Sequence, residues 1–274
     1  MRRIVGKTLL YIVLFTGGMI FLAPLLWMLS TSFKPEHQVY NVPIEWIPEV
    51  FDYQNYIEGW RYLDFPRFYI NTTYLTVVNI FGLLLSSSLV AFGFARIRFW
   101  GREWIFLVLL STMMLPQQVT MIPIYVFWSR LGFVNTYWPL IIPEFLTNAF
   151  NVFLLRQFFM SINLELDDAA RIDGAGWLMI YARVLMPLSK PALGVLAIMA
   201  FTWNWNNFLY PLIYINETRK YTVAIGLRLF ETQQSQYMAE TMAMTMVALI
   251  PVLLVFYLAQ ARFIQGIVIT GVKG

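Results

Sequence analysis

The sequence predicts an all-α polytopic membrane protein with six transmembrane helices. Of its 274 residues, 59% are hydrophobic and 12% are charged, and the mean hydropathy is +0.63, which is not the balance of a soluble domain. The 18% aromatic content, with 10 Trp, suits a protein anchored at two membrane–water interfaces. Six apolar runs are long enough to cross the hydrocarbon core, at about residues 9–30, 68–95, 104–126, 138–159, 192–215 and 238–263.

The composition also excludes several classes of site. With 0 Cys, the chain has no disulfide framework, no thiolate metal site and no cysteine nucleophile. The single histidine, His37, lies in a polar loop and is expected to be a solvated surface residue, so no metal site is predicted. The net charge of +4 is modest, and the basic residues lie beside the apolar runs. This pattern indicates a lipid bilayer as the partner and argues against nucleic acid.

The first apolar run follows Arg2, Arg3 and Lys7, and no small-residue cleavage pattern ends it. We therefore expect a retained span and not a signal peptide. Residues 34–66 are polar and rich in proline, which predicts an external loop with short structure of its own. The second run contains Asn79 and three consecutive serines from Ser86, a pattern that favours tight helix–helix packing over a pore lining.

The third run is interrupted by Pro116 and Pro123, with Gln117 and Gln118 between them. Irregular backbone at membrane depth survives only where protein buries it or water reaches it. The two glutamines are thus candidates for lining an aqueous cavity. A kinked helix satisfied by its neighbours is the alternative. In the fourth run, Glu144 is a functional candidate because it is ionisable, unless it sits at the interface.

The basic residues predict the orientation. Twelve of the 19 lysines and arginines fall at one set of span ends and seven at the other. The larger group is Arg2, Arg3, Lys7, Arg96, Arg98, Arg102, Arg156, Arg171, Arg183, Lys190, Arg262 and Lys273. Cytoplasmic loops carry the excess, so both termini and the loop of residues 163–187 are expected in the cytoplasm.

That loop is predicted to be a helical hairpin. Asn163 is a plausible N-cap, and the acids that follow it favour a helix start. Asp167 and Arg171 are spaced to pair at i and i+4, and Gly174 ends the helix after Asp173. A second short helix is expected from about Trp177 to Pro187.

The hairpin is shaped to meet another surface. Ala169 and Ala170 allow close approach of a partner, and the carboxylates of Glu165, Asp167 and Asp168 are placed to reach a basic group on it. An amphipathic loop helix lying on the membrane is the alternative.

Asp168-Ala-Ala, Gly174 and Val184-x-Met-Pro187 resemble the "EAA" loop of ABC importer permeases. The family pattern is Glu-Ala-Ala, three residues, Gly, nine residues and Ile-x-Leu-Pro. This chain keeps the alanines, the glycine and the proline in register. It differs at Asp168, Val184 and Met186, where the family has Glu, Ile and Leu.

Three further segments resemble the carbohydrate branch of these permeases, the type I architecture of the maltose importer's membrane subunits. They are residues 114–123, residues 203–211 followed by 221–226, and residues 263–274. The length of the chain is similar to that of the second, smaller subunit of the maltose importer.

The resemblance implies a site that docks an ATP-hydrolysing subunit. Its residues are Glu165, Asp167, Asp168, Ala169, Ala170, Asp173, Gly174 and Pro187. It further implies a complex with a second homologous permease chain, two ATP-hydrolysing subunits and an external solute-binding protein, in a bacterial or archaeal cytoplasmic membrane. No phosphate-cradling Gly-x-x-x-x-Gly-Lys-Ser/Thr occurs, so ATP and Mg are expected in the partner, and this chain is predicted to hold no cofactor and to be no enzyme.

The fifth run carries Trp203-Asn-Trp-Asn-Asn207, whose amides are costly within an apolar helix unless they are satisfied. Aromatic faces and amides are suited to sugars, so Trp203, Asn204, Asn206 and Asn207 are candidates for a sugar path. Hydrogen bonds to neighbouring helices are the alternative for each residue. An ABC permease for another solute, and less favourably a secondary transporter, are the alternative functions.

Overall fold

The computed structural model describes residues 2–233 and 237–271, and within these ranges the regular structure is entirely helical. The helices are α1 (Arg2–Thr31), α2 (Glu36–Val39), α3 (Gln54–Arg61), α4 (Phe65–Arg96), α5 (Arg102–Ser111), α6 (Gln117–Arg130), α7 (Trp138–Leu146), α8 (Ala149–Ser161), α9 (Glu165–Ile172), α10 (Trp177–Met179), α11 (Met186–Leu188), α12 (Lys190–Trp205), α13 (Leu209–Tyr214), α14 (Val223–Gln233) and α15 (Met238–Gly271). The predicted all-α fold class is confirmed.

Four stretches of the described chain are long and apolar enough to cross a membrane. They are Lys7–Thr31, Phe65–Arg96, Trp138–Ser161 and Met238–Gln260. Two further pairs of helices pass the same test together but are bent, Arg102–Met114 with Gln117–Arg130 by 99° and Trp177–Leu188 with Lys190–Trp205 by 76°. Counting each bent pair as one span gives up to six, which is the predicted number. The second pair begins at Trp177, inside the expected hairpin, whereas the fifth run was predicted to begin near residue 192.

The third run breaks at the first of its two prolines only. A residue that precedes proline is pushed towards extended backbone, and Leu115 has ψ 115° before Pro116. Pro116 is itself extended and caps α6, whereas Pro123 lies inside α6 without ending it. The expectation that both prolines interrupt the helix is therefore wrong for Pro123.

The fifth run was expected to be one helix over residues 192–215, and this is wrong in detail. Helix α12 ends at Trp205 and α13 begins at Leu209, so residues 206–208 separate two helical pieces. The break has a local cause, because Asn206 Nδ2 donates to the Thr202 carbonyl oxygen at 2.8 Å and Asn207 Oδ1 accepts from the Tyr210 backbone at 3.3 Å. Such side-chain bonds to backbone compete with the helical ladder.

The chain divides into two compact units, Met1–Tyr69 with Ile225–Pro251 and Ile70–Ala224 with Val252–Gly274. In the first unit, the predicted loop of residues 34–66 folds around a buried lysine. The Lys34 Nζ atom donates to the Glu45 carbonyl oxygen at 2.5 Å and lies 4.0 Å from the centre of the Trp27 ring. Burial lowers the pKa of Lys34, and the charge of Glu45 opposes that change. The side chain of His37 is exposed, as expected.

The core of the second unit is an aliphatic and aromatic cluster. Its most buried members include Ala91, Val152, Leu155, Phe159 and Leu196, which come from α4, α8 and α12. Because α12 enters this core, its position is fixed by packing against α4 and α8.

The three serines of α4 satisfy polar groups of the same unit, as their pattern predicted. Ser86 donates to the Glu144 carbonyl oxygen at 3.1 Å, where α7 is ending. Ser87 hydrogen-bonds the hydroxyl of Thr147, in the break between α7 and α8, and Ser88 bonds the hydroxyl of Tyr181 at 2.7 Å. The backbone carbonyl of Glu144, which lies next to the break between α7 and α8, is thus hydrogen-bonded inside the protein. Polar backbone groups in an apolar environment need such partners.

Candidate coupling hairpin and transport cavity

Helix α9 presents one face away from its own unit. Glu165, Asp168, Ala169 and Ile172 are all exposed and recur at the i, i+3, i+4 and i+7 positions of a helical stripe. The side chain of Ile172 is 87% exposed. The stripe thus combines two carboxylates, a small residue and an uncovered aliphatic side chain, which is the composition of a surface that another protein can cover. We call Glu165, Asp168, Ala169 and Ile172 the docking stripe.

The end of α9 is fixed by Gly174. The Gly174 backbone has φ +84°, which disfavours residues with a Cβ atom. The amide of Gly174 donates to the Arg171 carbonyl oxygen and the amide of Ala175 to that of Ala170, both at 2.9 Å. These two bonds form a Schellman motif, so the predicted glycine stop is confirmed. Nothing lies within 4 Å of a Cβ built at Gly174, and Asp173 beside it is exposed.

The start of α9 lies one residue later than a cap at Asn163 implies. The helix begins at Glu165, and the Asn163 Oδ1 atom accepts from the Glu165 amide at 3.2 Å. The Asn163 Nδ2 atom also donates to the Glu165 carboxylate at 3.0 Å. Asn163 therefore still satisfies an amide at the start of the helix.

Asp167 differs from the other acids of the hairpin because it is buried. Its Oδ2 atom lies 2.6 Å from Arg96 Nε, and the two side chains are 5% and 2% exposed. The contact is an ion pair without an aligned hydrogen bond, since neither atom has a hydrogen-bond partner within the described chain. Arg96 Nη2 donates to the Ile162 carbonyl oxygen at 2.9 Å.

The predicted pair of Asp167 with Arg171 is wrong. The Arg171 guanidinium instead lies 3.9 Å from the centre of the Trp177 ring, across the turn of the hairpin. A cation over an indole face is attracted by the ring quadrupole. This contact and the Gly174 turn hold the two halves of the hairpin together.

The second half of the hairpin packs on α4. It comprises α10, a π-helical segment at Ile180–Leu185, and α11. The Tyr181 ring contacts Phe92 with centroids 5.4 Å apart, and Leu185 is fully buried in the core. Pro187, in the first turn of α11, is exposed and precedes the 76° bend into α12.

The second feature of this unit is a cavity of about 750 Å³. It is lined by Gln117, Gln118, Met121, Ile198, Met199, Thr202, Trp203, Asn206, Asn207, Phe208, Leu209 and Tyr210. These residues come from the first half of α6, the second half of α12, the break after α12 and the start of α13. Both broken spans thus supply the walls, and no ionisable carboxylate or cation lies among these residues.

Of the seven predicted path residues, five line the cavity, and they are Gln117, Gln118, Trp203, Asn206 and Asn207. Asn204 does not. Its Oδ1 atom accepts from Asn79 Nδ2 at 2.6 Å and its Nδ2 atom donates to the Ala200 carbonyl oxygen at 2.9 Å. Asn204 therefore follows the alternative expectation of a bond between helices.

Glu144 does not line the cavity either. It lies two residues before the end of α7, inside the candidate span Trp138–Ser161, and its side chain is partly buried. The adjacent break has Thr147 at φ +60° and ψ 174°, a conformation that costs a β-branched residue free energy.

The sequence did not single out every residue of the site. Thr202 and Tyr210 line the cavity, and Tyr210 donates to Gln117 Oε1 across it at 3.4 Å. Both residues lie close in sequence to the Asn206–Phe208 break, and this closeness is the only feature of the sequence that could have identified them. Arg96 was counted only as an orienting charge, because no local pattern reveals a partner 71 positions away.

This chain is similar to known proteins over most of its length. The family described as "Binding-protein-dependent transport system inner membrane component" matches residues 75–269. That range contains the hairpin of residues 163–187 and every residue that lines the cavity.

Two curated relatives are permeases named for oligosaccharides. An arabinooligosaccharides transport system permease protein of Halalkalibacterium halodurans is 32% identical over 95% of this chain and 96% of its own length. A galactooligosaccharides transport system permease protein of Bacillus subtilis is 30% identical over 100% of this chain and 98% of its own.

A solved structure has the same fold. It is a chain of a bacterial ABC transporter involved in the import of the acidic polysaccharide alginate, with a TM-score of 0.84 and 25% identity over 95% of this chain and 97% of that one. The family match covers well over half of the sequence. The chain therefore belongs to the family of binding-protein-dependent transport system inner membrane components.

Proposed function

We propose that this chain is one membrane subunit of an ATP-driven importer and forms part of the pathway of a sugar or oligosaccharide delivered by an external binding protein. The observation that carries the proposal is the pairing of two features in one compact unit. A hairpin presents an uncovered docking stripe, and the helix that follows it, α12, ends in the wall of a cavity lined by amides and aromatic rings.

The docking stripe is the contact for an ATP-hydrolysing partner. This chain has no phosphate-binding loop, so energy for transport must come from another polypeptide. Glu165 and Asp168 offer carboxylates to a cation on that partner, and Ala169 lets its surface come close. The exposed Ile172 supplies the apolar contact that a stable interface needs at its centre.

The cavity is the path of the solute. Its amide side chains pair with hydroxyl groups, and the half-exposed indole of Trp203 offers a flat face to the C–H surface of a sugar ring. Asn206 and Asn207 use only part of their hydrogen-bonding capacity within the chain, which leaves atoms for a solute. The absence of charge from this lining favours an uncharged saccharide.

The hairpin and both termini face the cytoplasm in this proposal, as the basic residues favour. A second homologous permease chain completes the pathway, and two ATP-hydrolysing subunits contact the two hairpins. Movement of a hairpin tilts α12 and alters the cavity, so the pathway alternates between the two sides of the membrane.

The test is reconstitution of the full complex in proteoliposomes, with the ATPase subunits and the binding protein of the same transporter. Uptake of a labelled neutral oligosaccharide should require external binding protein and internal ATP, and vanadate should stop it. Uptake that persists without ATP and follows an ion gradient would contradict the proposal and favour a secondary transporter.

A further inference from the structure

We propose that the Arg96–Asp167 ion pair is the joint that transmits movement of α9 to the membrane helices, so both residues are positioning residues for coupling. This inference rests on the proposed function. It assigns Asp167 a task inside this chain and removes it from the contact with the ATP-hydrolysing partner.

One guanidinium joins three helices. Arg96 is the last residue of α4, its Nε atom lies 2.6 Å from Asp167 in the first turn of α9, and its Nη2 atom donates to the Ile162 carbonyl oxygen at the end of α8. A displacement of α9 is therefore imposed on the ends of α4 and α8. Helix α4 in turn bonds the second half of the hairpin through Ser88 and Tyr181.

The burial of the pair separates Asp167 from the docking stripe. Arg96 and Asp167 are 2% and 5% exposed, whereas Glu165 and Asp168 on the same helix face solvent. A carboxylate that is buried against its own arginine is already neutralised, and a partner's cation reaches it only by breaking that pair. On α9, Glu165 and Asp168 are thus available to a partner protein, whereas Asp167 binds Arg96 of the same chain.

No other ion pair in the described part of the chain has both partners buried. The pairs Arg102–Glu103, Lys220–Glu217 and Arg67–Asp64 are exposed on at least one side and are screened by water and salt. Arg156 is buried, but its partner Glu103 is exposed. A connection between helices that must persist while they move is best made by an unscreened pair.

The experiment compares Asp167→Asn, Arg96→Gln and the exchanged double variant Arg96→Asp with Asp167→Arg in the reconstituted complex. Arg102→Gln, which removes a partly exposed arginine near the same end of α4, is the matched control. Two quantities are measured, the ATPase subunit retained on purification and the solute molecules imported per ATP hydrolysed.

Both single variants should retain the ATPase subunit, while import per ATP falls about tenfold or more. The exchanged pair should recover import per ATP to within about threefold of the parent. Arg102→Gln should match the parent in both quantities.

Three results would overturn the inference. Loss of the ATPase subunit from Asp167→Asn alone would make Asp167 a docking contact. Unchanged import per ATP in both single variants would show that the ion pair does not transmit the movement of α9. Failure of the single and exchanged variants alike to assemble would make the pair a requirement for folding only. A parent complex without ATP-driven uptake would instead contradict the proposed function.

Discussion

The coupling hairpin and the transport cavity belong to one compact unit but use their polar groups in opposite ways. In the hairpin, local bonds fix the backbone through Asn163, Gly174 and the Arg171–Trp177 contact, and the acids other than the buried Asp167 are exposed. In the cavity, the backbone is broken and the amides are only partly paired. This difference fits the proposed function, in which a locally fixed hairpin meets a preformed partner and a partly unpaired wall contacts a passing solute.

The largest expected effect comes from Gly174→Asp. An aspartate at φ +84° is strained by about 1–3 kcal/mol and adds a charge beside the docking stripe. We expect the retained ATPase subunit to fall by about 30-fold or more, as at an interface hot spot. Co-purification on the tagged permease measures it.

Gly132→Asp is the matched control, because Gly132 has φ +74° and equally open surroundings in a turn outside the hairpin. It should retain the ATPase subunit at the parent level. Equal losses in the two variants would mean that backbone strain, and not the hairpin surface, governs assembly.

Trp203→Ala tests the other region. Removing the indole takes a stacking face from the cavity wall, and we expect initial uptake at low solute concentration to fall about tenfold. The ATPase subunit should stay bound, because Trp203 lies in the cavity and not in the hairpin. Uptake of labelled oligosaccharide by proteoliposomes is the measurement.

Trp138→Ala is its control, since the two tryptophans are 53% and 50% exposed and only Trp203 lines the cavity. Equal loss of uptake in both variants would show that the effect comes from membrane anchoring.

The smallest expected effects distinguish the side-chain amides of Asn204 and Asn206. Asn204→Ala removes the 2.6 Å bond to Asn79 and should lower the free energy of unfolding by about 1 kcal/mol. Asn206→Ala should lower stability less, because its bond to the Thr202 carbonyl oxygen is exposed, and it should weaken solute transport, because Asn206 lines the cavity. Thermal melting and uptake, measured on the same preparations, distinguish the two, and a reversed pattern would exchange their assigned roles.

Much of the hairpin was predictable from the sequence because its determinants are local. The spacing from Asp168 to Pro187 and the glycine stop lie within twenty positions, and the Schellman motif follows from them. The inward turn of Asp167 was not predictable, since Arg96 arrives from a distant helix and its nearest rival, Arg171, is closer along the chain.

The cavity was less predictable than the hairpin, because its walls come from helices that are distant in sequence. Pro116 predicted the break in the third run, whereas the break at Asn206 and Asn207 was not predicted, since the fifth run was expected to be one helix. Which amide faces the space and which bonds a neighbour depends on the packing of α4 against α12, so Asn204 and Asn206 look equivalent in sequence and differ in the fold.

Site-directed crosslinking from the docking stripe tests whether this surface binds the ATP-hydrolysing subunit. The chain has 0 Cys, so Ala169→Cys introduces a single exposed thiol, and Asn216→Cys, exposed beyond α13, serves as the control. We expect Ala169→Cys to crosslink to the ATP-hydrolysing subunit and to resist an impermeant thiol reagent added to intact cells, whereas Asn216→Cys should react with that reagent. Labelling of Ala169→Cys from outside the cell, or crosslinks that never include a nucleotide hydrolase, would contradict this expectation.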